Sequence, residues 1–310
     1  MKLTFIIACY KSEKTVEGVV SEIVKVAALR PNVEYEIVLV NDCSPDNVYG
    51  VIKRAARDNH RIKGISLAKN VGKAAAILAG ISVMTWDIAV FLDDDGQCPV
   101  ERTWDLVDEI NDDVDMAIAD YPHKKQALYK NIGSNINQRL IRFLIGQPDD
   151  VTFSNFNARK RFVCEEMANY KNPYPNLQAL ALQVTHRIKM VPMEERERKI
   201  GKTGYTFLRS FKLLINGCTG FSVKPLRISS LFGIAFSCIG FFLSFLTVVK
   251  KLIHPSIQAG FTSIIALLLL IGGIIMLLLG MIGEYLGRIY ICINNAPQYV
   301  IKDEINCGGF

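Results

Sequence analysis

Residues 88–99 read IAVFLDDDGQCP. Ile88 to Leu92 is an apolar run of strand length, and Pro99 is suited to open a helix. Three carboxylates, a glycine and a glutamine lie between them. Three adjacent acids taken alone are more often a solvated loop than a site. Here they follow a run that reads as a buried strand, so they sit where such a strand ends. Side chains alternate along an extended chain, so Asp93 and Asp95 can point one way and Asp94 the other. Two carboxylates and the Gln97 oxygen form a hard oxygen set suited to Mg2+ or Mn2+.

The same grammar recurs upstream and downstream. LTFIIAC (3–9), EIVLV (36–40), IKGISL (62–67) and MAIA (116–119) are further strand candidates. Helical periodicity covers 13–29, 47–58, 71–84 and 99–111, with Val16, Val19, Val20, Ile23, Val24 and Ala27 on the first stripe. Apolar strands alternating with helices predict an α/β sheet covered on both faces. Ligands bind such sheets at the carboxyl ends of the strands. Those ends read Ala8-Cys9-Tyr10-Lys11-Ser12-Glu13, Asn41-Asp42-Cys43-Ser44-Pro45-Asp46, Ala68-Lys69-Asn70-Val71-Gly72-Lys73 and Asp93-Asp94-Asp95-Gly96-Gln97-Cys98-Pro99. Each is polar and turn-forming, and four in succession argue for a ligand site. The chain has neither GxxxxGK[ST] nor GxGxxG, so ATPase and dinucleotide readings lack their motifs.

Charge is distributed unevenly. Residues 1–120 carry 13 Lys/Arg against 20 Asp/Glu, a net of −7. Residues 121–227 carry 19 against 7, a net of +12, which implies an anionic partner. Two uncharged apolar stretches follow, 228–249 and 259–283, separated by KKLIHPSIQA. Each is long enough to span about 30 Å of hydrocarbon, so the pair predicts a transmembrane hairpin beside a lipid bilayer. A mean hydropathy of +0.22 agrees with a membrane protein. The eight cysteines form no CxxC pair, against a zinc site or a disulfide framework. The expected organisation is a cytoplasmic domain over 1–202, an amphipathic interfacial connector over 203–227, spans at 228–249 and 259–283, and a cytoplasmic tail over 284–310. With no export signal read at the start, both termini are expected on the cytoplasmic side of the inner membrane.

Several motifs resemble those of the polyprenyl-phosphate glycosyltransferases of glycosyltransferase family 2, the group of dolichol-phosphate mannose synthases and undecaprenyl-phosphate sugar transferases. The family's P-x-Y-N-E is matched by Ala8 to Glu13, D-D-G-S-x-D by Asn41 to Asp46, and R-N-x-G-x-x-x-A-x-x-A-G by Lys69 to Gly80. D-A-D-x-Q-x-P corresponds to Asp93 to Pro99 and R-x-x-G-x-S-K-Y to Arg198 to Tyr205. Pro225-Leu226-Arg227 and Gly283-Glu284-Tyr285-Leu286-Gly287-Arg288 bracket the apolar pair. The chain departs from the family at Ala8, Lys11, Asn41 and Gly204.

The resemblance implies an A-type (nucleotide-diphospho-sugar transferase) fold and transfer of a sugar from a nucleotide-sugar, expected to be UDP-linked, to a polyprenyl phosphate such as undecaprenyl phosphate. It places Ala8, Tyr10, Glu13, Asp42, Lys73, Asp93 and Asp94 around the donor, with Asp42 against the base. It gives Asp93, Asp95 and Gln97 to Mg2+ or Mn2+, and Arg198 and Lys202 to donor or lipid phosphates. Asp95 and Asp150 are the catalytic candidates, Asp150 as base or acceptor-orienting carboxylate. The polyprenyl phosphate is already anionic at neutral pH and needs little general-base help. A homo-oligomer is left open. The other readings are a non-catalytic membrane adaptor with a degenerate sugar-nucleotide domain, a polysaccharide synthase and a glycosidase. Nucleic acid is disfavoured, because the basic segment abuts the hairpin.

Overall fold

A computed structural model describes residues 1–121, 147–148, 150–171, 175–196, 226, scattered positions between 232 and 253, 260–294 and 297–308. The strands are β1 (Lys2–Cys9), β2 (Glu34–Asn41), β3 (Ile62–Leu67), β4 (Ile88–Phe91), β5 (Met116–Asp120), β6 (Asn157–Lys160), β7 (Ile188–Pro192) and β8 (Ile301–Ile305). The helices are α1 (Val16–Ala28), α2 (Val48–Asp58), α3 (Lys73–Ile81), α4 (Thr103–Val107), α5 (Arg161–Ala168), α6 (Leu177–Val184) and α7 (Phe261–Ile293). One eight-stranded sheet runs β7-β5-β6-β4-β1-β2-β3-β8. The five strands expected from the sequence are all present, as are helices in all four of the periodic stretches.

Two-residue alternation explains why the sheet is covered on both faces. Leu3, Phe5, Ile7 and Cys9 of β1 face one core with α1, α2 and α4, through Val16, Ile23, Ile52 and Trp104. Ile6 faces the other, with Val38, Val40 and Ile65, under α3, α5 and α6. Phe5, Ile6 and Ile7 are fully excluded from solvent, each contributing about 1.5–3 kcal/mol relative to exposure. Helix α3 approaches β1 and β2 so closely that a Cβ on Gly80 would lie 2.6 Å from Ile6 Cγ2 and 3.1 Å from Val40 Cγ2.

The chain order sets the site. β1 pairs in parallel with β2 on one side and β4 on the other, and β2 pairs in parallel with β3. Connections therefore leave β1 and β4 in opposite directions, opening a crevice between their carboxyl ends. β6 joins β4 and β5 antiparallel and brings the 150–156 loop to the same edge.

The C-terminal residues depart from the expected tail. Helix α7 continues to Ile293, ten residues past the expected end of the second span, a length of about 50 Å. Large apolar side chains such as Leu267, Leu268, Met276 and Leu279 are exposed along it. Within it, Leu270–Ile293 is long and apolar enough to cross a membrane. The chain then returns as β8, antiparallel to β3. Lys53 pairs with Asp303 at 2.9 Å, and Asn306 Nδ2 donates to the Ala56 and Ile62 carbonyls at 2.6 and 2.9 Å. Lys302, Asp303 and Glu304 put charge on this sheet edge, which discourages further strand pairing. The short apolar alternation of IKDEI is too weak a signal to mark a strand without its partner. The connector 203–227 lies outside the described residues except for Leu226, and the first apolar stretch, 228–249, is described at nine of its 22 positions.

Candidate active site

The four strand-end loops each pass through the left-handed backbone region: Lys11 at φ 59°, Cys43 at 47°, Gly72 at 89° and Gly96 at 75°. For Lys11 and Cys43 this costs about 1–2 kcal/mol each and is held only by surrounding bonds. Those bonds are visible. Ser44 Oγ accepts from the Lys11 backbone at 2.8 Å and donates to Asp46 Oδ1 at 2.6 Å. Asp46 Oδ2 accepts from the Glu13 N–H at 3.0 Å, and Glu13 Oε2 accepts from the Asn47 N–H at 3.3 Å. The loops after β1 and β2 are thus clamped together. Burial pushes the Asp46 carboxyl up, but the Ser44 hydroxyl and the Glu13 and Val48 N–H groups outweigh it, leaving its pKa below the ordinary range.

Asp42, expected against the base, is bonded to the neighbouring loop. Its carboxylate is buried and accepts the Val71 N–H at 2.7 Å and the Gly72 N–H at 2.9 Å. Asn70 Nδ2 donates to the Asp42 carbonyl at 3.0 Å. Both carboxylate oxygens therefore clasp the β3–α3 loop. Burial raises the Asp42 pKa, and the two N–H groups offset only part of that.

The three acids of the run make separate contacts. Asp94 turns under the β1 loop, where Oδ2 accepts the Tyr10 N–H at 3.0 Å across the crevice. Burial raises its pKa, and hydrogen bonds in the β1 loop counter this only in part. Asp93 Oδ1 pairs with Lys73 Nζ at the start of α3, and Oδ2 accepts Asn155 Nδ2 at 2.8 Å. Asp95 Oδ1 accepts the Gln97 N–H at 3.1 Å. Below the run, Cys98 Sγ accepts the Asp93 N–H at 3.5 Å, and its thiol is pushed up to about 12 by burial and by Asp93.

Tyr10 is exposed at the mouth, with Lys11 Nζ 5.5 Å from its ring centroid, and Ala8 sits just beneath at the end of β1. Tyr10, Lys73, Asp93 and Asp94 are brought together, with Asp95 and Gln97 on the adjoining turn. Asp150 is exposed in the turn before Val151, and no described hydrogen bond or ion pair joins it to these carboxylates. Arg198 and Lys202 lie outside the described residues. Sequence reasoning missed Asn155, which reaches Asp93 from 62 positions away and carries no local signal. It also missed the Ser44–Asp46 clamp, although a serine two residues before an aspartate is a turn pattern.

The donor set fits a divalent cation. Asp93 and Asp95 offer hard carboxylate oxygens, and the Lys73 ammonium already seats a positive charge on Asp93. Among the described residues no three His, Cys, Asp or Glu side chains form a ready-made metal cluster. That suits a cation held by one or two carboxylates and completed by a diphosphate, not an all-protein cage.

A mixed sheet whose central strands are parallel, with a crevice at their switch point lined by an aspartate run and backed by a clamped polar loop, is the arrangement of an A-type glycosyltransferase. Residues 4–167 match the sequence profile of glycosyl transferase family 2, and the chain belongs to that family. Residues 224–289 match the GtrB C-terminal hairpin. With the exposed apolar helix, that match marks a membrane-associated C-terminal part. The chain is 30% identical over 269 residues to the uncharacterized glycosyltransferase YkcC of Bacillus subtilis (strain 168), covering 86% of this chain and 83% of that one. It is 27% identical over 310 residues to the undecaprenyl-phosphate 4-deoxy-4-formamido-L-arabinose transferase of Enterobacter sp. (strain 638), covering 99% and 94%. In fold it is similar to glucosyl-3-phosphoglycerate synthase from Mycobacterium tuberculosis in complex with Mn2+ and UDP-glucose. That TM-score is 0.52 at 15% identity, covering 70% of this chain and 79% of that one.

Proposed function

We propose that this glycosyltransferase moves a sugar from a nucleotide-sugar, with UDP as the expected carrier, onto undecaprenyl phosphate or a related polyprenyl phosphate, inverting the anomeric centre. The observation that carries the reading is the union of two parts in one chain. A family 2 crevice is built on β1–β4, and an exposed apolar helix is tied back to the same sheet through β8. An anchor of this kind suits an acceptor that cannot leave the bilayer. Transferases named for undecaprenyl phosphate align with nearly the full chain.

In this reading Tyr10 and the clamped loops after β1 and β2 hold the nucleotide. Asp42 acts through the β3–α3 loop, fixing the start of α3 and with it Lys73. Asp93, Asp95 and Gln97 hold Mg2+ or Mn2+. Such a cation neutralises charge developing on the departing diphosphate. Lys73, paired with Asp93 in the free protein, gains the diphosphate as a new partner. Arg198 and Lys202 supply further positive charge for donor or lipid phosphate. Asp150 orients the acceptor phosphate, which is itself the nucleophile. The domain and both termini face the cytoplasm, with the spans at 228–249 and within α7.

The test is incubation of the purified full chain in lipid nanodiscs with a panel of UDP- and GDP-sugars, undecaprenyl phosphate and Mg2+ or Mn2+. Glycolipid is read by mass. A glycosylated lipid phosphate is expected with one donor. Sugar released to water but never to lipid overturns the reading in favour of a hydrolase. Nucleotide binding without either reaction overturns it in favour of an adaptor.

A further inference from the structure

The segment that leaves β7 crosses the acidic loop. The Met193 N–H donates to the Asp120 carbonyl at 2.9 Å, and the Arg196 N–H donates to the Gln97 carbonyl at 3.1 Å. The Gln97 peptide is thereby held from two sides, because its own N–H is bonded to Asp95 Oδ1 at 3.1 Å. The Arg196 side chain adds two ties to the crossing segment. Nη1 donates to Glu22 Oε2 on α1 at 2.6 Å, and Nη2 donates to Glu101 Oε2 in the turn before α4. One guanidinium so joins three separate parts of the chain beside the Asp95–Gln97 turn. Arginine suits this role, since its rigid fork reaches two acceptors at once, which a lysine ammonium on a flexible stem does less well.

We propose that Arg196 is a positioning residue: its fork onto Glu22 and Glu101 pins the Asp95–Gln97 turn and so sets the carboxylate and amide oxygens that face the donor diphosphate. The functional half rests on the proposed cation site; the mechanical half stands on the hydrogen bonds alone. Without the fork, the segment loses its ties to α1 and to the α4 side. The Gln97 carbonyl then loses a fixed donor, and the turn that carries Asp95 shifts from the geometry a small divalent ion demands. Partners that orient ligands in this way typically change metal affinity about 10–100-fold when removed.

The experiment uses the full chain in nanodiscs and two readouts. Hydrogen exchange is followed in the peptide containing Gln97, and Mn2+ affinity is measured by electron paramagnetic resonance in the presence of UDP. Arg196→Ala is expected to speed exchange at that peptide and to weaken Mn2+ binding about tenfold. Arg196→Lys should fall between the two. The Glu22→Gln/Glu101→Gln pair should reproduce the alanine variant without altering the segment itself, which covers the case of an alanine variant that misfolds. Arg30→Ala is the control. Arg30 forks onto Asp108 at 2.5 Å and stacks on Trp104, and none of its described bonds reaches the Asp95–Gln97 turn, so its loss lowers the melting temperature while leaving both readouts unchanged. Unchanged exchange in the Arg196 variants overturns the pinning. Faster exchange with unchanged Mn2+ affinity overturns the positioning role. Faster exchange in a wild-type background that binds no Mn2+ with UDP keeps the pinning and removes the cation assignment instead.

Discussion

Replacing Asp42 by alanine removes the acceptor for two backbone N–H groups, at 2.7 and 2.9 Å, in a site only 3% exposed. A hydrogen bond to a charged group contributes about 1.5–3 kcal/mol, and an orphaned buried donor costs a similar amount. Two such bonds set an upper bound near 6 kcal/mol. The burial that raises the Asp42 pKa shows that the charged form is itself unfavourable there, which offsets part of the gain. The net expectation is a loss of about 2–4 kcal/mol. For a domain of this size that is roughly 5–15 °C in melting temperature. Asp42→Asn keeps one oxygen acceptor and should lose about half as much. Differential scanning fluorimetry of both variants in detergent, beside donor KM, is the assay. A role in holding the β3–α3 loop predicts that the melting temperature falls in both and that KM rises in step. An unchanged melting temperature with a raised donor KM would refute this account and restore Asp42 to the base.

Gly80→Ala drives a methyl against Ile6 and Val40, and thermal melts should show a loss of about 1–3 kcal/mol, although alanine is the better helix former. Truncation after Asn294 removes β8 and the Ala68 N–H to Val300 carbonyl bond at 2.9 Å, so a lowered melting temperature and faster exchange in β3 are expected together. Asp115 is held below the ordinary carboxylate range: burial pushes it up, but Lys160 at 2.8 Å and the Thr185 hydroxyl at 2.8 Å outweigh it. Its contribution is therefore present above the unfolded pKa, near 4, and lost as pH falls through the lower folded value. Asp115→Asn should flatten the stability–pH curve below about pH 5 in melts taken from pH 3 to 7.

The central sheet was legible because its strands are buried on both faces and therefore read as unbroken apolar runs, from Leu3–Cys9 to Ile88–Leu92. The acidic site was legible for the same reason, since those runs end abruptly in polar turns. β6, β7 and β8 were not. Asn157–Lys160 carries the polar sequence NARK, and its place in the sheet comes from pairing with β4 and β5, which lie far off in the chain. β8 lies 234 or more residues from its partner β3 and is anchored by Asn306 and Asp303, which mark nothing locally. The separate contacts of Asp93, Asp94 and Asp95 were not legible, because the run enters a turn at Asp94 where strand alternation does not govern it. Nor were the bonds of Asp42 to the β3–α3 loop, because a motif names a residue type and not the backbone donors the fold brings to it.

The most direct measurement is glycolipid formation from a nucleotide-sugar and undecaprenyl phosphate, titrated with Mn2+, in wild-type protein and in Asp95→Ala. The account predicts metal-dependent transfer in the wild type and a loss of at least about a hundredfold in the variant, with an unchanged melting temperature. Transfer that proceeds at the wild-type rate without Asp95, or without any divalent ion, would contradict it.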